Sequence, residues 1–198
     1  MLKIESIKIN YLPAPKGISG TAQISWALAS DRRNVQQKCR RVRVTKEADG
    51  TVVYDSGEIA DGAAAQIPVT AAWADVQRYR VTVTVSDGAE TAEGSAAFVT
   101  ALQDTGRWAG AFVSAEKAAD AGQSGGTLLR REFSLHGPIR EAWLLSTAHG
   151  LYQAFLNGSR VDTGEMAPGW TSYRRRLYYQ TSDVTSLLHP GKNAIGAS

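Results

Sequence analysis

The sequence predicts an all-β protein made of two antiparallel sandwich domains in tandem. Three observations carry this reading. Apolar and polar residues alternate at period two through most of the apolar segments. Those segments are short and are separated by turn dipeptides such as Asp49-Gly50, Asp87-Gly88 and Asn157-Gly158. Strand signals dominate, and residues 116–121 offer only one turn of helix in a stretch that reads mostly as loop.

The elements follow in order. Residues 7–11 alternate, with Ile7, Ile9 and Tyr11 expected on one side and Lys8 and Asn10 on the other, until Pro13 and Pro15 break the pattern. In residues 21–28, Ile24, Trp26 and Leu28 oppose Gln23, Ser25 and Ala27. Residues 39–45 set Val42 and Val44 against Arg41 and Arg43, and Asp49-Gly50 turns that strand into Val52-Val53-Tyr54. The cleanest strand is 79–85, with Tyr79, Val81, Val83 and Val85 on one face. Asp87-Gly88 turns it back toward residues 96–100. About seven such strands in the first hundred residues argue for a sandwich, and Trp26 and Tyr79 suit its core.

A boundary falls near residue 105, before Arg107-Trp108. The Gly-rich stretch 122–126 resembles a phosphate-cradling loop only superficially, since no Lys-Ser/Thr and no helix follow it. A second strand series begins at Leu128, and continues through 139–146 and 151–156. Asn157-Gly158 is the strongest hairpin signal in the chain, with Val161 on the return strand. Residues 177–180 read as a further strand. Residues 185–188 fit a short helical turn that Asp183 can cap. Pro190-Gly191 then leads into a last strand at Asn193-Ala-Ile-Gly196, close to Ser198, so this second sheet is expected to be incomplete.

Composition narrows the function classes. The 198 residues are 43% hydrophobic, enough to bury cores in one large or two small domains. No apolar run approaches the roughly 20 residues that span a bilayer. The N-terminal segment has no apolar stretch of signal-peptide length, so with Met1 as the start a cytoplasmic protein is expected. Cys39 is the single cysteine, which excludes an intrachain disulfide and a cysteine-based zinc site. The net charge of +3 sits in short runs such as Arg174-Arg175-Arg176, with acids between them; neither a nucleic-acid nor a membrane partner is expected.

Chemistry-bearing motifs are sparse. Glycoside hydrolysis needs two carboxylic residues about 5 to 10 Å apart across the scissile bond. The second half offers Glu132, Glu141, Asp162, Glu165 and Asp183, none in a pattern that marks a catalytic pair. His136, His149 and His189 match no metal spacing, and there is no nucleophile elbow. No catalytic residue, metal or cofactor is therefore expected. What remains is an aromatic and polar cluster, Trp170, Tyr173, Tyr178 and Tyr179, with Asn157, Arg174 and Gln180 close in sequence. Such residues stack on sugar rings and hydrogen-bond hydroxyls. The competing reading is that they pack the sandwich or a neighbouring domain. Trp170, Tyr173, Arg174 and Tyr179 are the candidate carbohydrate-binding residues.

These residues also carry a resemblance. The aromatic strand before Asn157-Gly158, then Ala167-Pro-Gly-Trp-Thr171, Tyr173 with its basic run, Tyr179-Gln-Thr181, Asp183-Val-Thr185, Leu187-Leu188 and Gly191-Lys-Asn-Ala-Ile-Gly196 resemble the N-terminal jelly-roll domain of bacterial α-L-rhamnosidases. Arg131-Glu-Phe133 resembles that domain's opening strand. The Asn-Gly hairpin with Asp-Val-Thr and Gly-x-Asn recurs in jelly rolls of several glycoside hydrolase families. The Ala-Pro-Gly-Trp-Thr to Tyr-Gln-Thr segment is closer to rhamnosidases alone. In the first half, Pro15-Lys-Gly-Ile18, Ile24-Ser-Trp26, residues 31–36, Val53-Tyr-Asp-Ser-Gly57 and Tyr79-x-Val81 resemble the fibronectin type III-like sandwich with which such enzymes often begin, and Trp108 resembles the link between the domains.

The resemblance implies a fibronectin type III/immunoglobulin-like sandwich over residues 1–105 and a partial jelly roll over 106–198. It implies a parent enzyme that removes terminal α-L-rhamnose with inversion, using carboxylates in a downstream six-fold α/α barrel. This chain is too short and too β-rich to contain that barrel, so none of the family's catalytic residues is carried over. The expected role is to buttress the barrel and help bind a rhamnose-containing glycan. A stand-alone carbohydrate-binding module and a structural β-tandem are the alternatives. An incomplete sheet leaves unpaired backbone groups, so a homodimer formed through strand edges is also expected.

Overall fold

The computed structural model describes residues 1–114 and 126–198. The helical turn expected at 116–121, and residues 122–125 of the Gly-rich stretch, lie outside the described residues. The chain divides into two compact units, Met1–Trp108 and Ala109–Ser198.

The first unit is a two-sheet sandwich of seven strands. They are β1 (Lys3–Ile9), β2 (Ala22–Ala29), β3 (Cys39–Lys46), β4 (Val52–Asp55), β5 (Ile67–Val69), β6 (Arg78–Ser86) and β7 (Thr91–Val99). One sheet has the order β1-β2-β5 and the other β4-β3-β6-β7, with antiparallel pairing throughout. Period-two alternation decides which face each strand buries. Val42, Val44, Val81 and Val83 have no exposed surface, and Ile9, Ile24 and Val69 meet them there. Tyr79, Phe98 and Trp73 close one part of the core. Trp73 meets Tyr79 and Phe98 edge-on at 5.1 and 5.4 Å, and Tyr79 stacks on Phe98 at 5.5 Å, the geometries that ring quadrupoles favour. The buried polar tips are satisfied: Tyr79 Oη accepts from the Ala74 amide at 3.0 Å, and Trp26 Nε1 donates to Gln37 at 2.9 Å.

Two expectations need correction here. Tyr11 does not share the buried side of Ile7 and Ile9; it is 65% exposed. Asn10 and Tyr11 both adopt positive φ, which ends the strand and rotates Tyr11 outward. The Asn10 side chain secures that turn by accepting from the Gln23 amide. Strand β5, absent from the sequence reading, is only three residues long with Pro68 at its centre. It lies at the edge of its sheet, where a residue without an N–H is tolerated.

The second unit contains β8 (Leu129–Leu135), β9 (Trp143–Ser146), β10 (Ala154–Leu156), β11 (Ser159–Arg160), β12 (Gln180–Asp183) and β13 (Gly191–Ala197). Four of them form a sheet of order β11-β10-β13-β8, and β12 pairs with β9. The Asn157-Gly158 hairpin forms as expected, with φ of 51° and 85°, the left-handed pair that a type I′ turn requires. Asp183 accepts from the Thr185 amide at 3.0 Å and so caps the 3-10 turn Thr185–Leu187 from one residue before its N-cap position. The strand expected at 177–180 instead runs from Gln180 to Asp183, in register with β9.

Polar ties hold much of this unit. Asn193 is buried and accepts from the His189 amide at 3.1 Å and from Asn157 Nδ2 at 2.8 Å. Its own Nδ2 donates to the carbonyls of His189 and Gly191. Asn157 in turn accepts from the Ala194 amide and donates to the Leu187 carbonyl. The hairpin, the 3-10 turn and the start of β13 therefore share one amide network. No helix among the described residues is long and apolar enough to cross a membrane.

Candidate functional site

The candidate sugar-binding residues lie on and beside one loop, residues 166–178, between β11 and β12. Several contacts give this loop a fixed shape. The Ala167 carbonyl accepts from the Tyr152 amide at 3.1 Å, and Gln180 Nε2 donates to the Pro168 carbonyl at 3.3 Å. The Ala167-Pro168 peptide is cis. Gly169 has φ of 94°, and the Tyr178 ring lies 3.7 Å from where a Cβ on Gly169 would stand. Thr171 Oγ1 donates to the Arg176 carbonyl at 2.6 Å. The two arms of the loop thus meet at Gly169 with Tyr178, and at Thr171 with Arg176. Trp170 sits on the first arm between those two ties.

Between the arms is a tight turn. The Ser172 carbonyl accepts from the amides of both Arg175 and Arg176, at 2.8 and 2.9 Å. Tyr173 anchors the turn: its Oη accepts from the Gly150 amide at 3.1 Å, and its ring stacks on His149 at 5.2 Å and 15°. His149 also meets Phe112 at 4.5 Å. Thr147 Oγ1 donates to the Tyr178 carbonyl at 2.6 Å, holding the returning arm.

The loop sorts the four candidates into two pairs. Trp170 is 89% exposed, and Arg174 is exposed with no carboxylate partner among the described residues. These two face solvent. Tyr173 is half-buried and its hydroxyl is committed to the Gly150 amide. Tyr179 is half-buried and engaged with its surroundings. Asn157 and Gln180, grouped with the cluster by sequence proximity, hold the fold through the bonds described above. Sequence reading gave no role to His149 and Phe112. Their stacking on one another and on Tyr173 is tertiary, and neither lies on a patterned strand that would have announced it.

Among the described residues, the carboxylates of this unit assemble no catalytic pair. Glu132 pairs with Arg130 at 2.7 Å and Glu165 with Arg160 at 3.0 Å. Asp162 accepts from the Gly164 amide and from Ser182, and Asp183 caps its turn. Glu141 also has a partner. In the first unit, Asp55, Asp61 and Asp87 are held below the usual carboxylate range by hydrogen bonds and arginines, and Asp49 by hydrogen bonds from Thr51 with Lys46 nearby. A general acid needs the opposite shift. Among the described residues, no group of three or more His, Cys, Asp or Glu side chains is gathered that could hold a metal ion.

An exposed indole on a braced loop presents a flat, electron-rich face to ring C–H groups. A guanidinium on the same loop can donate to oxygens in a fixed fork. That is chemistry that can hold a polar ring.

Comparison with known proteins gives these features a context. Residues 4–104, more than half the chain, match the family described as Rha78A-like, N-terminal immunoglobulin domain. Residues 137–198 match the alpha-L-rhamnosidase N-terminal domain. An α-L-rhamnosidase of Streptomyces avermitilis is 56% identical over 70 residues, which is 35% of this chain and 7% of that protein. One from an Alteromonas species is 40% identical over 70 residues, 35% of this chain and 8% of that protein. The chain thus aligns with a small part of the length of these relatives. Among solved structures, an α-L-rhamnosidase of Aspergillus terreus superimposes with a TM-score of 0.80 at 25% identity, covering 100% of this chain and 23% of that one. The α-L-rhamnosidase of Dictyoglumus thermophilum gives 0.85 at 22% identity, covering 98% and 24%, which shows a shared fold. With its immunoglobulin-like sandwich and the rhamnosidase N-terminal sequence that follows it, the chain belongs to the α-L-rhamnosidase family.

Proposed function

We propose that this chain is the non-catalytic N-terminal part of an α-L-rhamnosidase that hydrolyses terminal α-L-rhamnose from glycosides. Its own task is to help bind the rhamnose-containing glycan and to support the catalytic barrel supplied by further polypeptide. The observation that carries the binding role is Trp170, a large aromatic ring left 89% exposed on a loop whose neighbours are tied down on both arms. A ring exposed by accident is not usually braced in this way. The non-catalytic role is supported by the described carboxylates of the second unit, each of which has a structural partner.

The supporting role draws on the sheet of the second unit. Leu129, Phe155 and Ile195 are only half-buried and line a shallow apolar depression over β8, β10 and β13. Strand β8 pairs with β13 alone among the described residues, leaving its other edge open. Further polypeptide of the same protein is the natural cover for this surface, and a second copy pairing along β8 is the alternative cover. In a longer polypeptide carrying the barrel, hydrogen exchange in β8 and β13 should slow markedly relative to this chain. A single unchanged exchange rate in both would remove the supporting role. Light scattering of this chain across a concentration series checks the second copy, and a strictly monomeric species would exclude it.

Activity supplies the remaining test. This chain should leave an aryl α-L-rhamnoside intact, while the longer polypeptide turns it over. Hydrolysis by the 198 residues alone would overturn the non-catalytic assignment.

A further inference from the structure

The sugar-binding loop carries a feature that a neutral sugar does not need. Arg174, Arg175 and Arg176 are all exposed, on the tight turn that Ser172 and Thr171 close. None of the three has an ion-pair partner among the described residues. The loop itself supplies none: from Met166 to Ser182 the chain contains no aspartate or glutamate. The nearest acids along the chain are already used, Glu165 on Arg160 and Asp183 on Thr185. Elsewhere Arg32, Arg40, Arg41, Arg80, Arg107, Arg130 and Arg160 each pair with a carboxylate. Arg33, Arg131 and Arg140 are also exposed without an ion pair among the described residues, but they stand apart from one another along the chain, whereas Arg174, Arg175 and Arg176 are consecutive.

Three like charges packed on one turn repel one another, and no carboxylate among the described residues repays that repulsion. A ligand anion would. The guanidinium fork matches a carboxylate or sulfate in bidentate geometry, and such charge-assisted bonds are the stronger class. The turn is also rigidly joined to the stacking surface. Trp170 immediately precedes Thr171, whose hydroxyl is bonded to the Arg176 carbonyl. A sugar stacked on Trp170 therefore places its neighbours along the glycan beside the arginine turn.

We infer that the glycan bound by this loop is anionic: a rhamnose-bearing polysaccharide whose adjoining residues carry carboxylates or sulfates, read by Arg174, Arg175 and Arg176 beside Trp170. The inference rests on the sugar-binding reading above, and adds the charge class of the ligand to it. Nucleic acid offers the same anionic chemistry without the sugar face, and enters the test as a competing outcome.

The experiment is a calorimetric titration of the full 198-residue chain with three probes. The first is an acidic polysaccharide of rhamnose and uronic acid residues. The second is the same polymer after chemical reduction of its carboxyl groups, and the third is a rhamnose-free polyanion, polygalacturonate or duplex DNA. The acidic rhamnosyl polymer should bind about tenfold or more tightly than its reduced form, since a charge-assisted bond is lost on reduction. Its affinity should fall as salt is raised, while that of the reduced form should not. The variant R174Q/R175Q/R176Q should bind both polymers at the level of the reduced one, and Trp170→Ala should lose both. Equal binding of the acidic and reduced polymers by the unmodified chain would overturn the inference while leaving the sugar reading intact. So would a rhamnose-free polyanion that binds as tightly as the acidic rhamnosyl polymer. Absence of binding to either rhamnosyl polymer would remove the sugar reading and the inference with it.

Discussion

The two units of this chain solve the same problem, a stable β-sheet, with different materials. In the first, two sheets face one another and Val42, Val44, Val81, Val83, Ile9 and Ile24 lose all their exposed surface. In the second, Leu156, Ala167, Pro168 and Val184 are the buried apolar side chains among the described residues, and Leu156, Ala167 and Val184 are not wholly enclosed. Its order comes instead from side-chain amides and hydroxyls that tie turn to strand, with Asn193 and Asn157 at the centre. Apolar burial is non-directional and tolerates small shifts, whereas hydrogen bonds fix where a loop points. A unit proposed to aim a binding loop is well served by the second kind of construction.

That difference can be broken at several points, and the largest effect is expected in the first core. Phe98→Ala removes a ring packed on both Trp73 and Tyr79, and a change of this kind costs about 3–5 kcal/mol. Calorimetry should show the transition of the first unit collapsing toward low temperature. Leu156→Ala in the second unit should cost less, about 2–3 kcal/mol, because its half-exposed surroundings can close on the gap. If Leu156→Ala proved the more damaging of the two, the contrast between the cores would be wrong. Asn193→Ala should cost roughly 1–3 kcal/mol, by stranding the buried groups that it now satisfies. Its signature would be rapid amide exchange at His189, beyond what cavity formation alone produces.

Smaller still is Tyr173→Phe, which deletes the bond to the Gly150 amide while keeping the stack on His149. A loss of about 0.5–1.5 kcal/mol is expected, with a loosened loop reported by the fluorescence of Trp170. Acid should act most gently, and on the first unit. Asp55 is lowered to about 2 by Arg41 and the Gly57 amide, and Asp87 to about 2 by the amides of Glu90 and Ala89 and by Arg32. A carboxyl depressed in the folded state adds stability that is fully present above its unfolded value near 4. That contribution is lost as pH falls through about 2. Thermal melts between pH 5 and pH 2 should therefore show the first unit declining over that interval, and Asp55→Asn should flatten the decline.

The same contrast explains what could be read in advance. Alternation in Tyr79, Val81, Val83 and Val85 is a direct imprint of burial between two sheets, so β6 and the sandwich around it were legible. The Asn157-Gly158 turn was legible because its backbone geometry admits few residue types. Strand β5 was hidden, since three residues around Pro68 carry no periodicity. The strand expected at 177–180 was displaced to Gln180–Asp183 because its position depends on pairing with β9, not on its own tyrosines. At the site, Trp170 and Arg174 were named from composition alone and do face solvent. Tyr173 was named for the same reason, yet it is a brace. The partners that make it one, Gly150 and His149, lie more than twenty residues away, and no local pattern announces them.

Binding of a rhamnose-bearing glycan is the role proposed for the loop around Trp170. Titration of this chain with such a glycan, beside the Trp170→Ala variant confirmed as folded by circular dichroism, tests it most directly. Saturable binding by the unmodified chain that disappears in the variant is the predicted result. A flat titration of the unmodified chain, or a variant that binds equally well, would contradict it.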